Sequence, residues 1–111
     1  MIKLPGEVII EYKDKIIFQI EYEKDRRQKN RISSVDFSEL FWNVHYYLVL
    51  VRIIKPKVIK KDIYRTQKND LICFLEKYIE PEVDGLDLLI SSVDFKNIVT
   101  TTHDGDIYTY L

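Results

Sequence analysis

Apolar and polar positions alternate over residues 7–12 and again over residues 16–23. With Tyr12 paired to Ile16, Val8, Ile10 and Tyr12 share a face with Ile16, Phe18, Ile20 and Tyr22, and the alternation predicts an N-terminal β-hairpin closed by Lys13-Asp14-Lys15. The other face carries Glu7, Glu11, Gln19 and Glu21, interrupted by Ile9 and Ile17, which would sit almost side by side. That apolar pair marks a second packing surface, and we assign both residues to a subunit interface. Residues 24–31 contain nothing apolar and read as a solvated loop.

The longest apolar segment follows, FSELFWNVHYYLVLVRII over residues 37–54. Phe37, Leu40, Phe41, Val44, Leu48 and Val51 fall on one helical stripe. Asp36 and Glu39 have capping-box spacing, and Pro56 supplies a stop, so the pattern predicts one long helix. The β-branched and aromatic residues over 46–54 offer a strand as the alternative for its second half. Trp42 and Tyr46 lie off the stripe one turn apart, an aromatic pair either buried by the sheet or forming a protein-contact hot spot, and both join the expected interface. His45 reads as a core or interface histidine.

Residues 57–65 fit either a strand or a short helix. Asn69 or Asp70 can cap a second helix whose stripe is Leu71, Phe74, Leu75, Tyr78 and Ile79, with Pro81 beyond it; Cys73 within it reads as a packed thiol. Strands are predicted at 86–93, 97–103 and 106–111. Asp104-Gly105 suits a two-residue hairpin turn that sets Thr101 against Tyr108 and Val99 against Tyr110. The order implies an α+β domain: an antiparallel sheet of about five strands, an N-terminal hairpin plus a C-terminal three-strand meander, with two helices packed on one face.

The hexapeptide Ile-Ser-Ser-Val-Asp-Phe occurs twice, at 32–37 and 90–95. Its offset fits no solenoid period, and we read it as a turn with an Asx or helix-start geometry used twice.

At 111 residues and 46% hydrophobic, the chain suits a single domain spanning 1–111. The uncharged part of the long apolar segment, residues 40–51, is well short of the roughly 20 residues that cross a bilayer. Pro5, Gly6 and Glu7 interrupt the run a signal peptide would need, so a cytoplasmic chain without a membrane partner is expected. Alanine is absent, lysine, isoleucine and tyrosine are abundant and glutamine is scarce. This composition resembles that of small orphan proteins of hyperthermophilic archaea and their viruses.

Net charge is -1, but it is unevenly placed. Residues 24–31 carry five cations against Asp25 and residues 52–68 seven against Asp62, whereas residues 69–111 hold nine acids against Lys77 and Lys96. If the two basic segments converge, Arg26, Arg27, Lys29, Arg31, Lys55, Lys57, Lys60 and Lys61 would form a nucleic-acid-binding surface. Asp84, Asp87 and Asp94-x-Lys96 resemble the acid and acid-x-lysine pattern of restriction-like nucleases, which implies Mg²⁺-dependent cleavage as a remote alternative. His103, Asp104 and Asp106 are explained by a hairpin turn, and no catalytic residue, metal site, cofactor or small-molecule ligand is indicated. The expectation is a non-enzymatic protein-interaction module that associates with itself as a homo-oligomer, motivated by apolar residues on too many sides: Ile9, Ile17, Trp42, Tyr46, Val49, Leu50 and Ile53. Nucleic-acid binding stands as the alternative.

Overall fold

The structure is a computed structural model that describes residues 7–8, 12–32, 37–55, 58–78, 86–102 and 106–111. The elements in chain order are β1 (Glu7–Val8), α1 (Lys13–Asp25), β2 (Lys29–Ile32), α2 (Phe37–Leu40), β3 (His45–Lys55), β4 (Val58–Gln67), α3 (Lys68–Tyr78), β5 (Leu86–Ser92), β6 (Ile98–Thr101) and β7 (Ile107–Tyr110). The α+β class and the antiparallel pairing are as the sequence implies. The sheet, however, has seven strands among the described residues rather than about five, in the order β1-β4-β3-β5-β6-β7-β2.

β3 is the central strand, paired to β4 on one side and β5 on the other. Its alternate residues enter two separate cores. Tyr46, Leu48 and Leu50 pack with Tyr64, Leu88, Ile90, Val99 and Ile107 against Leu71, Phe74 and Leu75 of α3 and Leu40 of α2. Val49 packs on the opposite face with Ile63, Leu89, Ile98 and Tyr110 against Ile17 and Ile20 of α1. The helices therefore lie on both faces of the sheet, not on one. A strand buried on both faces must be apolar at every position, which removes the two-residue period from its sequence. That is why the expected helix over 37–54 is instead the four-residue α2 followed by the eleven-residue β3. Val49 and Leu50, whose off-stripe positions motivated an interface, are fully buried on opposite faces of this strand.

The N-terminal hairpin is also replaced. Residues 13–25 form α1, and Glu7 and Val8 pair with Arg65 and Tyr64 of β4. Ile16, Ile17 and Ile20 share one helical side, and Ile20 is fully buried against the sheet. Phe18 and Tyr22, which the alternation would have buried, point outward. The helix begins after Tyr12 in the left-handed region, φ 60°, whose carbonyl accepts from the Ile16 amide at 2.9 Å. The expected loop over 24–31 supplies the last two residues of α1 and the first three of β2, which pairs with β7.

β4 settles the ambiguous segment as a strand. α3 begins at Lys68, ahead of Asn69 and Asp70, with the Lys68 amide donating to the Val44 carbonyl at 2.8 Å. Cys73 on α3 is exposed rather than packed, and His45 is exposed as well, which removes the core reading of that residue. β5, β6 and β7 form the expected meander, but the last hairpin pairs Thr101 with Ile107 and Thr100 with Tyr108, one residue away from the expected register. The Thr102 amide donates to the Asp106 carbonyl at 2.9 Å. Pro56, Pro81, Asp84-Gly85, Asp104-Gly105 and the Asp36 cap lie outside the described residues. No described helix is long and apolar enough to cross a membrane.

Candidate functional site

The expected cationic surface is only partly assembled. Arg26, Arg27, Lys29 and Arg31 stand at the β7-β2 side of the sheet, and Lys60 and Lys61 on β4, with β3, β5, β6 and β7 between β4 and β2. Neighbouring residues of a strand point to opposite faces, so Lys60 and Lys61 do not act on one surface. Most of these cations are engaged within the fold. Arg27 donates to the Phe95 carbonyl at 3.0 Å and to the Lys96 carbonyl, and lies 3.6 Å from Glu23. Arg31 pairs with Asp106 at 2.8 Å, Lys60 lies 3.8 Å from Asp62, and Lys61 pairs with Glu21 at 3.2 Å. Lys55 is the last residue of β3, and Lys57 lies outside the described residues. Among the described residues the two basic segments meet where Lys61 and Lys29 join Lys24 around a groove of about 320 Å³ beside the C-terminal half of α1.

Of the expected interface residues, Ile17 is in the core beneath α1 and Tyr46 is fully buried, so neither is available to a partner. Ile9 lies outside the described residues. Trp42 is 61% exposed on the turn between α2 and β3, next to the exposed Val44.

Tyr46 instead belongs to a buried polar hub centred on Asn97. The Tyr46 hydroxyl donates to Asn97 Oδ1 at 2.7 Å and accepts from the Asn43 amide at 2.8 Å. The Trp42 amide also reaches Asn97 Oδ1, and Asn97 Nδ2 donates to the Leu40 carbonyl at 3.0 Å. Burial, foremost, pushes the Tyr46 phenol up to about 12. The second Ile-Ser-Ser-Val-Asp-Phe copy builds the other side of this hub. Ser92 Oγ accepts from the Asn97 amide at 2.9 Å and donates to Asp94, while Asp94 accepts from the Lys96 amide at 3.1 Å. The Ser92 hydroxyl, foremost, holds the Asp94 carboxyl below its ordinary range; burial opposes it, and the Lys96 amide and charge add smaller lowering effects. This is the Asx-type turn the motif implies. It ends in Phe95 at φ 61°, a left-handed conformation costly for a residue with a Cβ, which Arg27 clamps through the Phe95 carbonyl. Residues 33–36 of the first copy lie outside the described residues.

The same turn occupies the residues that resemble a nuclease. Asp94 is tied to Ser92 and the Lys96 backbone, while Asp87 stands near the opposite end of β5, about 17 Å away along residues 87–92 at roughly 3.3 Å each. Asp84 lies outside the described residues. Among the described residues no three His, Cys, Asp or Glu side chains gather in a way that could hold a metal ion.

Known proteins bring nothing further to these residues. No family model, no curated protein and no solved structure matches the chain.

The most conspicuous unburied chemistry is on the outer side of α1. Phe18 is 69% exposed and Tyr22 50% exposed, and their rings stack at 6.5 Å. The Arg26 guanidinium stands 5.4 Å from the Tyr22 ring, and Lys15 stands 5.6 Å from the ring of the exposed Tyr12. Lys15, Phe18, Tyr22 and Arg26 follow one another at helical spacing on a single stripe, opposite Ile17 and Ile20. At a period of 3.6 the apolar residues of 13–25 divide between two opposite sides of the helix, so the sequence shows no single stripe there. Asn97 carried no signal either, because the partners of its side chain stand 51 to 57 positions earlier in the chain.

Proposed function

We propose that the chain is a non-enzymatic protein-interaction module whose contact surface is the outer stripe of α1. The observation that carries this reading is the exposed Phe18–Tyr22 stack flanked by Lys15 and Arg26. Tyrosine and arginine are enriched where a few residues dominate the energy of a protein interface, and aromatic rings ordered by their own contacts lose little entropy on binding. α1 is seated through Ile17 and Ile20, so these rings are presented on a fixed element rather than on a loop.

The form of interaction to test first is self-association. Sedimentation velocity from low micromolar to submillimolar protein is expected to show a reversible dimer that the double variant Phe18→Ser, Tyr22→Ser dissociates while circular dichroism stays unchanged. A monomer at every concentration would remove self-association from the reading. Nucleic-acid binding ranks second because Arg27, Arg31 and Lys61 are already engaged by carbonyls and carboxylates of the fold.

A further inference from the structure

α1, 13 residues and therefore about 20 Å long, cannot roof a seven-strand sheet about 29 Å across at roughly 4.8 Å per strand. Over β5, β6 and β7 the face that α1 packs on stays open as a groove of about 320 Å³, within the size range of small-ligand sites. Its lining divides by chemistry. Val51 and Leu89 supply apolar floor, Tyr108 and Tyr110 aromatic surface, and Lys24, Lys29 and Lys61 reach it from three different elements. Glu21 and Asp87 also line it, and Glu21 is matched by Lys61 at 3.2 Å.

Lys29 is the least compensated of the three lysines. Its ammonium rests 4.1 Å above the Tyr108 ring, and it forms no ion pair among the described residues. A cation parked on an aromatic face can exchange that contact for a stronger, charge-assisted hydrogen bond to an anion, and the vacated face can then take a ring. Beside it the Thr100 and Tyr110 hydroxyls, 2.9 Å apart, keep hydrogen-bonding capacity for a polar ring edge or a sugar hydroxyl.

We propose that this groove binds a phosphorylated ring compound of mononucleotide size, with the phosphate between Lys24 and Lys29 and the ring on Tyr108. Three lysines against two carboxylates leave one net positive charge in the lining, and Lys24 also lies 3.8 Å from the exposed Asp25 beside it, a balance suited to a single phosphate of about -1.5 to -2 and poorly suited to a polyphosphate or a nucleic-acid strand.

The test is a nuclear magnetic resonance titration of the isotopically labelled chain with adenosine monophosphate, adenosine and inorganic phosphate as probes. Saturable shifts are expected at the amides of Thr100 and Tyr108 with the monophosphate, and about tenfold weaker binding of either half alone. Lys29→Ala is expected to weaken the monophosphate about tenfold or more, the loss of one charge-assisted hydrogen bond, whereas Lys60→Ala on the other face leaves it unchanged. Tyr108→Leu should remove the advantage of the monophosphate over phosphate. The absence of saturable shifts with millimolar monophosphate, indifference to Lys29→Ala, or phosphate binding as tightly as the monophosphate would each overturn the proposal.

Discussion

At the scale of single residues, the position on which most depends is an uncharged amide. Asn97 connects four stretches of chain: the end of α2, the turn at residues 41–44, β3 through Tyr46, and the turn after β5. Because the Tyr46 hydroxyl both donates and accepts within this buried hub, Tyr46→Phe is expected to cost about 1–2 kcal/mol, measured by urea unfolding at neutral pH. The same variant has a pH signature. Above the ordinary phenol value of 10.0 the unfolded chain loses a proton that the folded chain keeps until about 12. The folded state therefore binds more protons in that window, and stability falls as pH rises through it. Tyr46→Phe should reduce this alkaline loss relative to the wild-type chain when unfolding is compared at neutral pH and at about pH 11. Tyr64 is raised as well and persists in both proteins, so the difference between them isolates Tyr46.

At the scale of elements, α1 separates two readings of the same letters. In a hairpin Phe18 and Ile20 would share a buried face, whereas in the helix only Ile20 is buried. Ile20→Ala is therefore expected to destabilise by about 2–4 kcal/mol and Phe18→Ala by no more than about 0.5 kcal/mol, with thermal or urea denaturation as the measurement. Similar losses for both would favour the hairpin. The residues 16, 18, 20 and 22 are apolar at every second position by coincidence: two of them serve the core and two serve the surface. β3 misleads for the opposite reason, since burial on both faces erases alternation and leaves a run that also fits a helical stripe. The meander of β5, β6 and β7 was legible because its strands are short and broken by turn residues, and α3 because its polar side faces water. The hub at Asn97 was not legible, since a lone asparagine announces nothing until the chain has folded, and the α1 stripe was masked because apolar residues occupy both sides of the helix.

At the scale of the whole molecule, the chain divides by the distance over which its parts must find each other. β3 to β7 pair largely with neighbours in sequence, whereas β1 pairs Glu7 with Arg65 and β2 pairs Lys29 with Tyr110. Contacts so remote close large loops and form late in folding. Ile20→Ala should accordingly speed unfolding while leaving the folding rate close to that of the wild type, a result that stopped-flow kinetics over a range of urea would display. A marked slowing of folding would place α1 in the folding nucleus instead. The arrangement of β1 and β2 has a second consequence. They come from the same N-terminal stretch yet occupy the two outer margins of the sheet, β1 against β4 and β2 against β7. Were that stretch to detach, the unpaired backbone of β4 and of β7 would be bared together on opposite sides of one molecule. Two dissimilar open margins can join head to tail without ever closing a ring, so detachment would turn a discrete protein into the repeating unit of a ribbon.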